Sequence, residues 1–206
     1  MTRLPAHCAG IRIGLFGGSF NPPHAGHRLA ALTALRRLKL DRVWWLVTPG
    51  NPLKHNAALP CLAQRMLAAR QLAADPRIIV TGIEAQIGTR YTYDTLRWLT
   101  RHCPGVRFVG IMGADNLVSF HHWQRWRDIA ALLPVCVIDR PLATLKAASS
   151  PAARALARWR VDESRAATLP GRTPPAYVFL HGQRSPLSST QLRNTLTKID
   201  LAPVLT

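Results

Sequence analysis

Gly14-Leu15-Phe16-Gly17-Gly18-Ser19-Phe20-Asn21-Pro22-Pro23-His24-Ala25-Gly26-His27 is the stretch that decides how this 206-residue chain folds. A largely apolar run, Ile11–Phe16, leads into it as a buried strand would, and it meets two glycines that let the backbone come close to a bound group. The paired prolines then stop the strand and set up a helix entry. His24 and His27 stand three residues apart on the first helical turn, so their rings project to one side. The helix N-terminus behind them offers unpaired N–H groups and the positive end of a dipole, a combination that suits a phosphate. The glycine spacing differs from the dinucleotide fingerprint G-x-G-x-x-G, in which the two histidines have no place. Taken alone, the pair also admits readings as metal ligands or as polar residues on a helix edge. No carboxylate or third histidine lies close in sequence, so no metal site built from protein ligands is expected.

Outward from this stretch, apolar runs alternate with helical patterns. After the first helix, which runs to about Leu38, Val43–Thr48 (VWWLVT) predicts a second strand, leading into the loop PGNPLKHN. Leu62–Ala74 is helical in composition and stops at Asp75-Pro76. Strands are predicted at Arg77–Thr81, Val106–Met112, Val135–Asp139 and Ala176–His181, and helices at Tyr93–Arg101, over most of Asn116–Leu132, and from about Ser189. Alternation of this kind implies right-handed βαβ crossovers. The expected fold is therefore α/β, a Rossmann-like doubly wound parallel sheet with helices on both faces. Such sheets bind ligands beyond the carboxyl ends of their strands, which directs attention to the loops there.

The length suits a single domain spanning residues 1–206. Residues 143–175 show no clear period apart from a short helix capped by Ser150 with Pro151 at its first position, and are expected to form a surface excursion of that domain. Cys8, Cys61, Cys103 and Cys136 lie far apart without C-x-x-C spacing, which argues against a zinc site or a disulfide framework. The N-terminal residues lack the apolar core of a signal peptide, and a cytoplasmic location is expected. The charge is the unusual bulk property: 27 Lys and Arg against 10 Asp and Glu give +17. That balance favours anionic partners. The bases are scattered, and no RNA-binding sheet signature, zinc finger or basic zipper is present.

A second cradle lies near the C-terminus, at Ser188-Ser189-Thr190-Gln191-Leu192-Arg193. Ser188 and Gln191 fit a capping box that opens a helix. Three hydroxyls, a helix N-terminus and an arginine on the next turn are well suited to polyphosphate oxygens.

The pattern G-x-F-x-P-x-H-x-G-H followed late by S-S-T-x-x-R resembles the nucleotidyltransferase superfamily, which shares its active-site logic with class I aminoacyl-tRNA synthetases. Within it, the chain resembles the bacterial nicotinate-nucleotide adenylyltransferases over roughly residues 11 to 196, on Asn51-Pro52-Leu53-Lys54, Arg90-Tyr91-Thr92-Tyr93-Asp94-Thr95-Leu96, Gly113-Ala114-Asp115-Asn116 and Phe120-His121-His122-Trp123. The resemblance implies a reaction between ATP and nicotinate mononucleotide, with Mg²⁺ carried on the ATP phosphates. It implies that His24 and His27 contact those phosphates, with His27 nearest the reacting α-phosphate, and that Lys54 reaches them from the loop after the second strand. Gly17, Gly18, Ser19 and Phe20 would line the ATP site, with Ser188, Ser189, Thr190 and Arg193 closing over the polyphosphate and Asp115 holding the adenosine end. Asn51 and Lys54 would meet the mononucleotide. Thr92 and Trp123 would shape the nicotinate pocket, with Trp123 stacked on the pyridine ring. Tyr91 would be structural.

Two rival readings stand beside this one. One is another small nucleotidyltransferase with a phosphopantetheine, glycerol-phosphate or nicotinamide-mononucleotide acceptor. The other is a non-catalytic nucleic-acid-binding protein on the same scaffold. Neither a specific nucleic-acid partner nor a membrane is expected, and the oligomeric state is not legible.

Overall fold

The central strands of this chain are apolar at nearly every position, without the polar alternation of a one-sided sheet, so both faces must be covered. The computed structural model describes residues 2–50, 59–141 and 143–182. In it the strands are β1 (Arg12–Gly18), β2 (Arg42–Val47), β3 (Ile78–Thr81), β4 (Arg107–Gly113), β5 (Val135–Ile138), β6 (Arg160–Val161) and β7 (Tyr177–Leu180). They form one parallel sheet in the order β3-β2-β1-β4-β5-β7-β6. The helices are α1 (Ala25–Arg37), α2 (Leu62–Ala73), α3 (Ile83–Ile87), α4 (Thr92–His102), α5 (Ala114–Ser119), α6 (Trp126–Leu132), α7 (Thr144–Ala148) and α8 (Pro151–Leu156).

Adjacent residues of β2 show how the sheet divides the core. Trp44 and Trp45 are both fully buried, on opposite faces. Trp44 packs with Ile13, Leu15 and the inner sides of α4, α5 and α6. Trp45 belongs to the core of the other face, with Phe16, Val47, the alanines of α1 and α2 and, further along, Leu169. Ala30, Ala31 and Ala34 allow α1 to lie close on its face. The doubly wound parallel architecture expected from the alternation is the one observed.

The topology reverses between β1 and β4. From β1 the chain winds outward to β2 and β3, then returns to β4 on the other side of β1. Beyond the carboxyl ends of these two strands, at Gly18 and Gly113, the connections leave in opposite directions and open a crevice.

Three local expectations are corrected. The predicted helix over Asn116–Leu132 is broken into α5, a 3₁₀ turn at Phe120–His122, and α6. Arg125 sits in the left-handed region at φ 56° before α6. This conformation costs an L-residue about 1–2 kcal/mol. Tertiary contacts offset it, because the Arg125 guanidinium lies 3.8 Å over the Tyr93 ring and pairs with Asp128 at 2.7 Å. The helix α3 follows β3 where no helix was predicted. Finally, residues 143–175 are more than a surface excursion. They supply the edge strand β6 and bury Ala147, Ala152, Ala153, Leu156, Val161, Ala166 and Leu169. Alanines dominate this packing, so its hydrophobic period is weak in the sequence. The predicted cap within it is present: Ala153 N–H donates to Ser150 Oγ at 3.2 Å. The predicted C-terminal helix lies outside the described residues.

Candidate active site

The exit of β1 builds the centre of the crevice. Gly17 is exposed at the strand end, and a Cβ there would meet nothing within 4 Å. Phe20 follows in the left-handed region at φ 48°, a strained position for a bulky residue. Its ring is 1% exposed, stacks on Trp45 at 5.0 Å and lies 4.8 Å from the His27 ring. The Phe20 side chain is therefore the floor beneath His27, and only its backbone faces outward chemistry. Four residues after Phe20, His24 stands as the N-cap of α1 in extended conformation.

His24 and His27 are locked to one another. The His24 amide donates to His27 Nδ1 at 3.2 Å, and the His27 amide donates to the His24 carbonyl at 2.8 Å. Since Nδ1 accepts, a neutral His27 carries its proton on Nε2, which is left as a donor. The two rings are 3.9 Å apart. His24 is 4% exposed, yet among the described residues neither of its buried ring nitrogens has a hydrogen-bond partner. Buried polar nitrogens without partners are costly and rare in a folded protein; Trp44 Nε1, Trp45 Nε1 and His121 Nδ1 are others here, and His24 is the residue where both ring nitrogens are left so.

Burial pushes the His24 pKa down to about 4, with Arg140 adding to the effect and Asp115 opposing it. Burial likewise pushes His27 down to about 3, reinforced by His24 and Arg140. Both imidazoles are neutral at pH 7. The two outside charges come from neighbouring strand ends. Asp115 is the second residue of α5, after β4, and stands 3.7 Å from Arg140, just beyond β5. Gly113 makes room for this approach, because a Cβ there would collide with Asp115 Oδ1 and lie 3.1 Å from Arg140 Nε. Arg140 is missed by the sequence reading. The one signal for it is its place just after a predicted strand.

A second cluster forms around the ends of β2 and β3. Glu84, in α3, is buried and accepts from Thr95 Oγ1 at 3.3 Å, while Thr95 shares a 2.8 Å hydrogen bond with Thr89. Burial raises the Glu84 pKa, and hydrogen bonds from Thr48 and Thr95 pull the other way. Thr92 opens α4 in this neighbourhood. Trp123 is half-buried, with its ring edge-on to Phe120 at 5.4 Å. Arg125, two residues after Trp123, stacks at 3.8 Å on Tyr93, the residue after Thr92. Tyr91 is exposed and serves as the N-cap of α4. Asn51, Lys54, Ser188, Ser189, Thr190 and Arg193 lie outside the described residues.

Neutral imidazoles, a guanidinium and a helix N-terminus make a donor-rich centre, which suits phosphate oxygens. Among the described residues, no three His, Cys, Asp or Glu side chains come together as a cation cage. No described helix is long and apolar enough to cross a membrane.

The cytidylyltransferase-like family profile matches residues 15–195. A Bradyrhizobium protein named "Probable nicotinate-nucleotide adenylyltransferase" is 59% identical over 184 residues, covering 89% of this chain and 96% of its own. A protein of the same name from Methylorubrum extorquens is 61% identical over 183 residues, covering 89% of this chain and 99% of its own. Among solved structures, the Plasmodium falciparum nicotinic acid mononucleotide adenylyltransferase complexed with NaAD superposes with a TM-score of 0.66 at 17% identity, covering 90% of this chain and 84% of that one. This last likeness carries the fold alone. The near full-length match to close relatives carries more, and the chain belongs to the nicotinate-nucleotide adenylyltransferases, within the cytidylyltransferase-like family.

Proposed function

We propose that this protein transfers the adenylyl group of ATP to nicotinate mononucleotide, forming nicotinate adenine dinucleotide and pyrophosphate in NAD synthesis. The observation that carries the chemistry is the buried His24–His27 pair at the topological switch point, with both His24 nitrogens lacking partners among the described residues. The acceptor is indicated by the full-length relationship to enzymes of that name. Mg²⁺ enters with ATP, bound to its phosphates, as part of the substrate. The reaction belongs in the cytoplasm, where ATP is available and the four cysteines, all free in the structure, stay reduced.

The mononucleotide 5′-phosphate attacks the α-phosphorus of ATP in line, a new P–O bond forms, and pyrophosphate leaves with the electron pair of the broken bond. The nucleophile is already an anion, so no general base is required. The protein has to align two polyanions and stabilise charge that grows in the transition state. His27 contributes an Nε2–H donor at a neutral, dehydrated ring, His24 a second imidazole beside it, and the N-terminus of α1 the positive end of its dipole. Arg140 lies within electrostatic reach of both rings and completes the positive field. Lys54 and Arg193 add cations from the loop after β2 and from the C-terminal motif, with Asn51 on the mononucleotide and Ser188, Ser189 and Thr190 on the ATP polyphosphate. Asp115 stands at the β4 exit to receive the adenosine end, and Thr92 and Trp123 take the nicotinate.

A pyrophosphate-release assay with ATP and parallel acceptors tests this. Nicotinate mononucleotide is expected to exceed nicotinamide mononucleotide by at least tenfold in kcat/KM, because an amide NH₂ facing backbone donors would leave buried groups unpaired at roughly 1–3 kcal/mol. A ratio near one, or turnover with phosphopantetheine instead, overturns the assignment.

A further inference from the structure

Arg65 is a buried cation that nothing in the transfer step uses directly. It lies on the first turns of α2 and is 3% exposed. Among the described residues its hydrogen bonds all go to main-chain carbonyls: Nη1 donates to Ser19 at 2.8 Å and to Thr48 at 2.7 Å, Nη2 to Pro49 at 3.3 Å, and Nε to Pro60 at 2.9 Å. No ion pair with a carboxylate accompanies them among the described residues. A buried guanidinium held only by carbonyls is an expensive arrangement for a helix that packs elsewhere through alanines.

The four acceptors belong to three different places. Ser19 sits on the exit of β1, one residue before strained Phe20 and five before His24. Thr48 and Pro49 form the exit of β2, and Pro60 precedes α2. Pro49 and Pro60 also flank, each two residues off, the 51–58 stretch that contains Asn51 and Lys54. One planar fork therefore spans the β1 loop, which presents the histidine pair, and the β2 loop. A guanidinium can do this because its donors point in fixed, divergent directions within one plane; an ammonium offers a single point.

We infer that Arg65 is a positioning residue of the transfer reaction, setting the spacing between the β1 loop that holds the ATP phosphates and the β2 loop on the acceptor side. This rests on the adenylyl-transfer reading above. In-line attack demands alignment of two separately bound anions, and a displacement of about 1 Å is enough to cost on the order of a hundredfold in rate. Without Arg65 the Thr48 amide still donates to the Gly18 carbonyl at 3.0 Å, so the strand ends stay joined and what is lost is the tie beyond them, at Ser19, Pro49 and Pro60.

The test is steady-state kinetics of R65K and R65Q, with rates normalised to the folded fraction measured by ATP binding. The expected result is a fall in kcat of about ten- to a hundredfold in R65K with KM for each substrate within threefold of wild type, and an equal or larger fall in R65Q. Normalised kcat within threefold of wild type in both variants would show a purely structural role and overturn the inference. So would a change confined to one substrate's KM, or failure of both variants to fold, which would make Arg65 a requirement of the fold itself. If the wild-type chain does not turn over nicotinate mononucleotide at all, the functional reading is what has failed; normal wild-type turnover with undiminished variants isolates the failure to Arg65.

Discussion

Two polar regions of this molecule are built on opposite terms. In the segment from Ser150 to His181, polar groups find partners inside the protein. Ser150 caps α8, Asp162 accepts from the Ser164 amide at 2.8 Å, and Glu163 receives Arg37 at 2.9 Å and the His181 ring at 2.8 Å. At the β1 exit, His24 is more deeply buried than any of these carboxylates, yet neither of its ring nitrogens has a partner among the described residues. Phe20, beneath His27, is held in the left-handed region. The contrast separates scaffold from site: the first region spends its hydrogen bonds on itself, and the second holds donors ready for a ligand's oxygens. Dry, fixed donors lose little reorganisation energy when charge develops, which is why they serve a transition state better than solvated ones.

The largest effect that can break this contrast is at His27. His27→Ala is expected to lower kcat by two to three orders of magnitude, equivalent to roughly 3–4 kcal/mol of transition-state stabilisation. The fold should persist, as judged by circular dichroism, because the ring's removal also relieves a desolvated imidazole. Turnover within threefold of wild type would remove His27 from the chemistry.

The contrast also has a pH signature of intermediate size. The folded pKa values of His24 and His27, about 4 and about 3, lie below the unfolded value near 6.5. As pH falls below 6.5 the unfolded chain takes up protons first, so stability is complete above that point and declines toward pH 4. The ion-paired Asp41 and Asp75 are held below the usual carboxylate range by Arg12 and Arg77, and their contribution disappears only at lower pH. Thermal melts between pH 7.5 and 4.5 should therefore show a fall in Tm that His27→Asn flattens. An unchanged slope in that variant would mean the pair is better solvated than its burial implies.

The smallest expected effect sharpens the scaffold side. Ser150→Ala should cost about 1 kcal/mol of stability through loss of the α8 cap, with kcat and both KM values unchanged. A loss of activity beyond the loss of folded protein would show that the segment reaches into the site.

Much of the architecture was legible locally. Strands buried on both faces announce themselves as apolar runs, and their alternation with helices leaves few topologies. The strand exit, the proline pair and the i, i+3 histidines of α1 are likewise written in adjacent residues, because glycine freedom, proline stiffness and the 3.6-residue turn act over short range. What lay beyond reach had no local signal. Arg125 breaks a helix because Tyr93, thirty-two positions earlier, offers it a ring. Residues 143–175 pack through alanines, too small to mark a period, and residues far apart in sequence meet as Arg140 beside Asp115 and Glu84 beside Thr95. Most decisively, the sequence supplied two histidines of ordinary pKa, and only the fold dehydrated them. Desolvation depends on every chain segment that excludes water from a point, and that sum exists only once the tertiary structure has formed.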